Sequence, residues 1–240
     1  MNSNKKIART TGILFIIATA AVLLGSGLTE SIVGAPDYLV QIAANKNLVA
    51  LGAILYFVAA AGSAGIAISL YPVLRKYNEG LAIGSVGFRL IEAVFYIVSA
   101  LGLLSLLSLS QEYASAEPQA VPTFQVLGTS ILAMRVWAGF VLAVIAFCLG
   151  AAMYYYVMYR FRLIPRWLSV WGLVALTLLL LMTLLIAFGE RISGPSGMQV
   201  LLVLPILVQE MVLAVWLIVK GFNPSAIASG SPKTDTNEVK

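Results

Sequence analysis

Arg89 and Glu92 stand inside an apolar stretch, GLAIGSVGFRLIEAVFYIVSALGLLSLLSL from Gly80 to Leu109, that is long enough to cross a bilayer. At ~1.5 Å of rise per helical residue, Arg89 lies ~13 Å and Glu92 ~18 Å from the start of such a helix. Both fall within a hydrocarbon layer ~30 Å thick, where an unpaired charge costs at least ~2–3 kcal/mol. Their i, i+3 spacing lets them pair with each other. A guanidinium carries five donors, however, so one carboxylate does not satisfy it. Arg135 and Glu210, each inside another apolar stretch, are the predicted partners, with Gln209 and Tyr96 beside them. Such a set has three uses: it binds a polar solute, passes a proton through a carboxyl, or fixes helix register as a neutral network.

Other chemistry is thinly represented. Histidine is absent, which removes imidazole metal sites and the Ser-His and Cys-His nucleophile pairs. Cys148 is the single cysteine, so there is no intrachain disulfide and no thiolate cluster. No nucleophile elbow, zinc motif or phosphate loop occurs. No metal or cofactor is expected, and an enzyme, reduced to Arg/Glu acid–base work on a lipid headgroup, is the weakest reading.

The elements that position these residues are helices in a membrane. The chain has 240 residues, 60% hydrophobic and 10% charged, with a mean hydropathy of +0.96. Its long apolar runs do not alternate with period two, so they close their own backbone hydrogen bonds as helices. The fold class is all-α: a polytopic bundle of six transmembrane helices over 1–222, with spans near 10–30, 48–70, 80–109, 124–154, 167–188 and 198–220. A polar tail, 223–240, is expected to be disordered. Lys5, Lys6 and Arg9 before the first span also fit a signal peptide, whose cleavage would leave five spans; a retained anchor is preferred because the apolar core is long and no convincing small-x-small cleavage site follows it. The connection from Thr29 to Asn47 is read as an outer segment holding a short surface helix with Leu39, Ile42 and Ala43 on one side. Ala61-x-x-x-Gly65, Ser63-x-x-x-Ala67, Gly80-x-x-x-Gly84 and Gly87 predict close helix approach. Pro205 leaves the carbonyl of Leu201 without its helical donor.

Basic residues set the orientation. Eleven lie at the amino terminus, the 2–3 and 4–5 turns and the carboxyl-terminal end, against two in the other connections, so both termini are expected on the cytoplasmic side. Depth then places Arg89, Glu92, Arg135 and Glu210 in one mid-membrane layer of zero net charge. The net charge of +5 is scattered over short connections without a stripe of interleaved aromatics, so no nucleic acid partner is expected.

LYPVLRKYNEGLAIGSVGFRLIEAV, RLIPRWLSVWGL and the proline-bearing last span together resemble the bacterial membrane family known only as domain of unknown function 4386, over nearly the whole chain to Phe222. The resemblance implies a multi-pass protein of the bacterial inner membrane and brings no activity, substrate or catalytic residue. Two readings stay open. One is a small-solute or proton-linked transport or binding protein, with Arg89, Glu92, Arg135, Gln209, Glu210 and Tyr96 as its binding set and a small solute or proton as ligand. The other is a structural or accessory membrane protein that packs with itself or a partner in the lipid bilayer. A pocket reaching Glu92 and Arg135 separates the first from the second.

Overall fold

The structure is a computed structural model that describes residues 3–188 and 197–229. The regular elements among these residues are all helices. Helix α1 (Ser3–Val33) is followed by a short α2 (Tyr38–Ala44), then α3 (Lys46–Leu74) and α4 (Glu79–Ala114). Helix α5 (Val121–Val136) runs through a π-helical turn (Trp137–Leu142) into α6 (Ala143–Arg160), and α7 (Arg166–Phe188), α8 (Gly197–Val219) and α9 (Pro224–Ser229) complete the order. Among the described residues, α1, α3, α4, the continuous rod 121–160 and α7 are five helices long and apolar enough to cross a membrane. The chain is thus built as a multi-pass membrane protein. Its lipid-type solvent is written on the surface, where Ile54, Leu185 and Phe188 are largely exposed.

Local chemistry sets the breaks. Asn78 caps α4 by accepting from the Leu81 N–H at 2.9 Å, and Glu79 places a carboxylate at the positive end of that helix. Arg162, at φ 56°, and Pro165 divide α6 from α7, while Gly221, at φ 74°, stops α8. Pro72 and Pro205 sit inside α3 and α8 without ending them. Helix α4, at 36 residues, is ~54 Å long and overhangs a ~30 Å hydrocarbon core.

Helix α3 is flanked by α1 and α4, α4 also packs on α6, and α1 on α8. Small residues permit the approach: a Cβ added at Gly62 would sit 2.8 Å from Ala18 Cβ, and one at Gly12 would sit 2.6 Å from the Ala214 carbonyl. Of the expected close-packing positions, Gly65 abuts Leu14 and Gly84 abuts Met153. Gly87 meets nothing within 4 Å and Gly80 only Asn78, so close packing on α4 is confined to Gly84 in that segment. The core falls into two clusters, one around Phe15, Leu70, Tyr154 and Met158, the other around Ile42, Val49, Leu103 and Leu106. Helix α2 exists where a surface helix was expected, but its buried side, Leu39 and Ile42, is turned into the protein against α4.

Part of the expected tail is ordered. The Asn223 backbone N–H donates to the Leu163 carbonyl at 2.8 Å, and the Tyr77 hydroxyl donates to the Ala226 carbonyl at 2.9 Å, which docks α9 on the α6–α7 and α3–α4 turns. Residues 230–240 lie outside the described residues, as does the connection 189–196.

Candidate functional site

A cavity of about 390 Å³ opens among α1, α3, α4, the π turn with α6, α7 and α8. Its walls are mostly apolar, with Val22, Phe140, Val144, Phe147, Leu179 and Met182 among them. Three carboxylates, Glu30, Glu92 and Glu210, and the polar groups Thr19, Ser63, Tyr56 and Tyr96 also line it. The arginines stand behind these carboxylates and do not line the space.

The middle layer is held by α4. Arg89 Nη1 lies 2.9 Å from Glu92 Oε2, and both side chains are almost fully buried. The i, i+3 pairing is the one read from the sequence. Glu210 on α8 accepts from the Thr19 hydroxyl at 3.3 Å, and Arg89 is within electrostatic range of both Glu92 and Glu210. Its guanidinium also sits 4.9 Å from the centroid of the Phe147 ring, a cation–π contact supplied by α6. Arg89 Nε finds no hydrogen-bond partner among the described residues.

Arg135 does not join this layer. It packs where a Cβ on Gly102 would be, 3.2 Å from Arg135 Cβ, and Gly102 lies ten residues beyond Glu92, ~15 Å further along α4. There both Nη atoms donate to Glu30, Nη1 to Oε2 at 3.5 Å and Nη2 to Oε1. The Tyr56 hydroxyl donates to the same Oε1 at 3.3 Å, and the Tyr56 and Phe140 rings lie 5.8 and 5.6 Å from the guanidinium carbon. The expectation that Arg135 answers Glu92 or Glu210 is therefore replaced by a separate, internally neutral Arg135–Glu30 pair. Glu30 was missed because the segment from Thr29 reads as an outer connection. The helix runs on to Val33, and the signal for it was Ile32-Val33 ahead of the breakers Gly34 and Pro36.

Gln209 is buried but turned away from the cavity. Its Oε1 accepts from the Tyr155 hydroxyl at 2.5 Å and its Nε2 donates to the Leu168 carbonyl at 3.0 Å, tying α8 to α6 and α7. Tyr96 does line the cavity, its ring centroid 6.3 Å from that of Tyr56.

This partition changes the charge balance. With Arg135 committed to Glu30, the middle layer holds one guanidinium against two carboxylates. No other cation among the described residues acts on Glu92 or Glu210. In a largely apolar cavity an unbalanced carboxylate is costly, and a second positive charge would lower that cost. Among the described residues no three His, Cys, Asp or Glu side chains are grouped to hold a metal ion. Cys148 is buried with its thiol donating to the Leu176 carbonyl at 3.7 Å.

Residues 10–221 match the family model described as Domain of unknown function (DUF4386). No curated protein and no solved structure matches the chain.

Proposed function

We propose that this chain, which belongs to the DUF4386 family, is a six-span protein of the bacterial inner membrane whose central cavity binds a small, largely apolar solute together with one positive charge. That charge comes from the solute itself or from a proton taken up with it. The observation that carries the reading is the excess carboxylate of the Arg89–Glu92–Glu210 layer, lying on an aromatic-lined space. Lipophilic amines match both features, because their apolar bodies fit walls such as Phe140 and Phe147 and their ammonium answers Glu210.

Helix α8, with 23 residues, is ~34 Å long and is the sixth span of this reading. Both termini are assigned to the cytoplasmic side. What supports this is the basic-residue count, together with Tyr77, Phe161 and Ala226 meeting at one end of the bundle. The alternative of a purely structural accessory protein draws its support from the Arg135–Glu30 pair, which is neutral and needs no ligand.

The test uses purified protein in detergent and in vesicles. Lipophilic amines, neutral isosteres and lipophilic anions are compared by thermal shift, and amine-driven proton movement is followed with an entrapped pH dye. The reading expects stabilisation by the amines alone and its loss in Glu210→Gln. Equal responses to all three classes, or an unchanged response in Glu210→Gln, would overturn it.

A further inference from the structure

A second cavity, of about 660 Å³, lies at the end of the bundle where α6 turns into α7 and α8 finishes. Arg162 and Arg166 from the turn and Lys220 from the end of α8 all line it, with Trp216, Phe222 and Asn223. Among the described residues none of these three cations pairs with a carboxylate. Basic residues in a membrane-edge turn serve topology wherever their side chains point. Their convergence with a lysine from another helix on one cavity is not required by that rule.

The backbone around the cavity is specifically held. Arg162 is the one described residue other than glycine with a positive φ, a sparsely populated conformation for an L-residue. Asn223 fastens it, with Nδ2 donating to the Arg162 carbonyl at 3.2 Å and the backbone N–H donating to Leu163. Arg166 lies with its guanidinium carbon 5.4 Å from the Tyr159 ring centroid, which restrains its fork. Beyond Arg166 on α7 the exposed Val170 and Val174 follow at one-turn intervals, and on α8 the exposed Val219 directly precedes Lys220 with Val215 one turn before that.

We propose that this cavity binds the phosphate of an anionic phospholipid headgroup. A phosphodiester oxyanion accepts from the Arg166 guanidinium and the Lys220 ammonium, Arg162 adds a third positive charge, and the Trp216 indole is the amphipathic side chain suited to the glycerol level. The exposed valines give the acyl chains an apolar surface beside the charged head. A soluble phosphate shares the oxyanion chemistry but has nothing for those valines.

The experiment follows thermal stability of the full chain in a neutral detergent on titration with phosphatidylglycerol, phosphatidylcholine or sodium phosphate. Phosphatidylglycerol is expected to raise the midpoint and the other two to leave it in place. In Arg166→Gln/Lys220→Gln the apparent affinity for phosphatidylglycerol should fall about tenfold for each cation removed. The charge-preserving Arg166→Lys/Lys220→Arg should retain most of it. Lys220→Gln alone, an exposed substitution, supplies the reading if the double variant does not fold. Equal stabilisation by phosphatidylcholine or by sodium phosphate, or an unchanged affinity in Lys220→Gln, overturns the assignment.

Discussion

Arg135 and Glu30 form a two-pronged ion pair that fastens the rod 121–160 to the last turns of α1. The guanidinium is fully buried, whereas the carboxylate retains 22% of its exposure, so the two partners are not equivalent. Glu30→Ala leaves a buried cation unanswered and is expected to cost ~3–5 kcal/mol, more than Arg135→Ala, whose orphan is a partly wetted carboxylate. A double-mutant cycle on melting in detergent checks this. Strong coupling is expected for Glu30 with Arg135, and additivity within ~0.5 kcal/mol for Arg135 with Glu210.

The two carboxylates of the middle layer should behave oppositely. Glu210→Gln removes the unbalanced charge and is expected to leave stability within ~1 kcal/mol of the parent. Glu92→Gln takes away the direct partner of Arg89 and is expected to cost ~1–3 kcal/mol. Midpoints measured side by side decide it, and a larger loss for Glu210→Gln would reverse the assignment of the pair.

Gln209 separates architecture from binding. Gln209→Leu strands the buried Tyr155 hydroxyl and the Leu168 carbonyl, for an expected loss of ~1–3 kcal/mol. Amine affinity should stay as it is, since Gln209 does not line the cavity. A collapse of amine binding at temperatures where the variant remains folded would contradict this division.

The glycines make a contrasting pair. Gly12→Ala drives a methyl toward the Ala214 carbonyl and Ile218 and should destabilise by ~1–3 kcal/mol through separation of α1 from α8. Gly87→Ala, exposed with nothing nearby, should gain ~0.5–1 kcal/mol of helix preference. Thermal midpoints of opposite sign are the expected result.

How far the residues spoke for themselves depended on range. Arg89 and Glu92 lie on one helix, and their spacing alone dictated the contact. Arg135 required knowing which residue a second helix brings level with it. Depth counted from presumed span ends did not supply that, because α1 continues beyond its apolar run and α4 overhangs the hydrocarbon layer. Gln209 and Glu210 are neighbours in sequence, yet helical geometry turns them to different walls, one into packing and one onto the cavity. The ordered segment after Phe222 was hidden for a related reason. Its hydrogen bonds go to distant turns, and no apolar period advertises them.

The wide π turn at Trp137–Leu142 sets the phase of the rod 121–160. One α-helical residue corresponds to ~100° of rotation, so an extra residue in that turn offsets the upstream face from the downstream face by about that angle. Arg135 on one side of it and Phe147 on the other each meet the charged partner assigned to them only with that offset in place. Excising a single residue there would straighten the rod into ordinary winding and force a choice: keep Glu30 clasped, or keep the aromatic ring over Arg89.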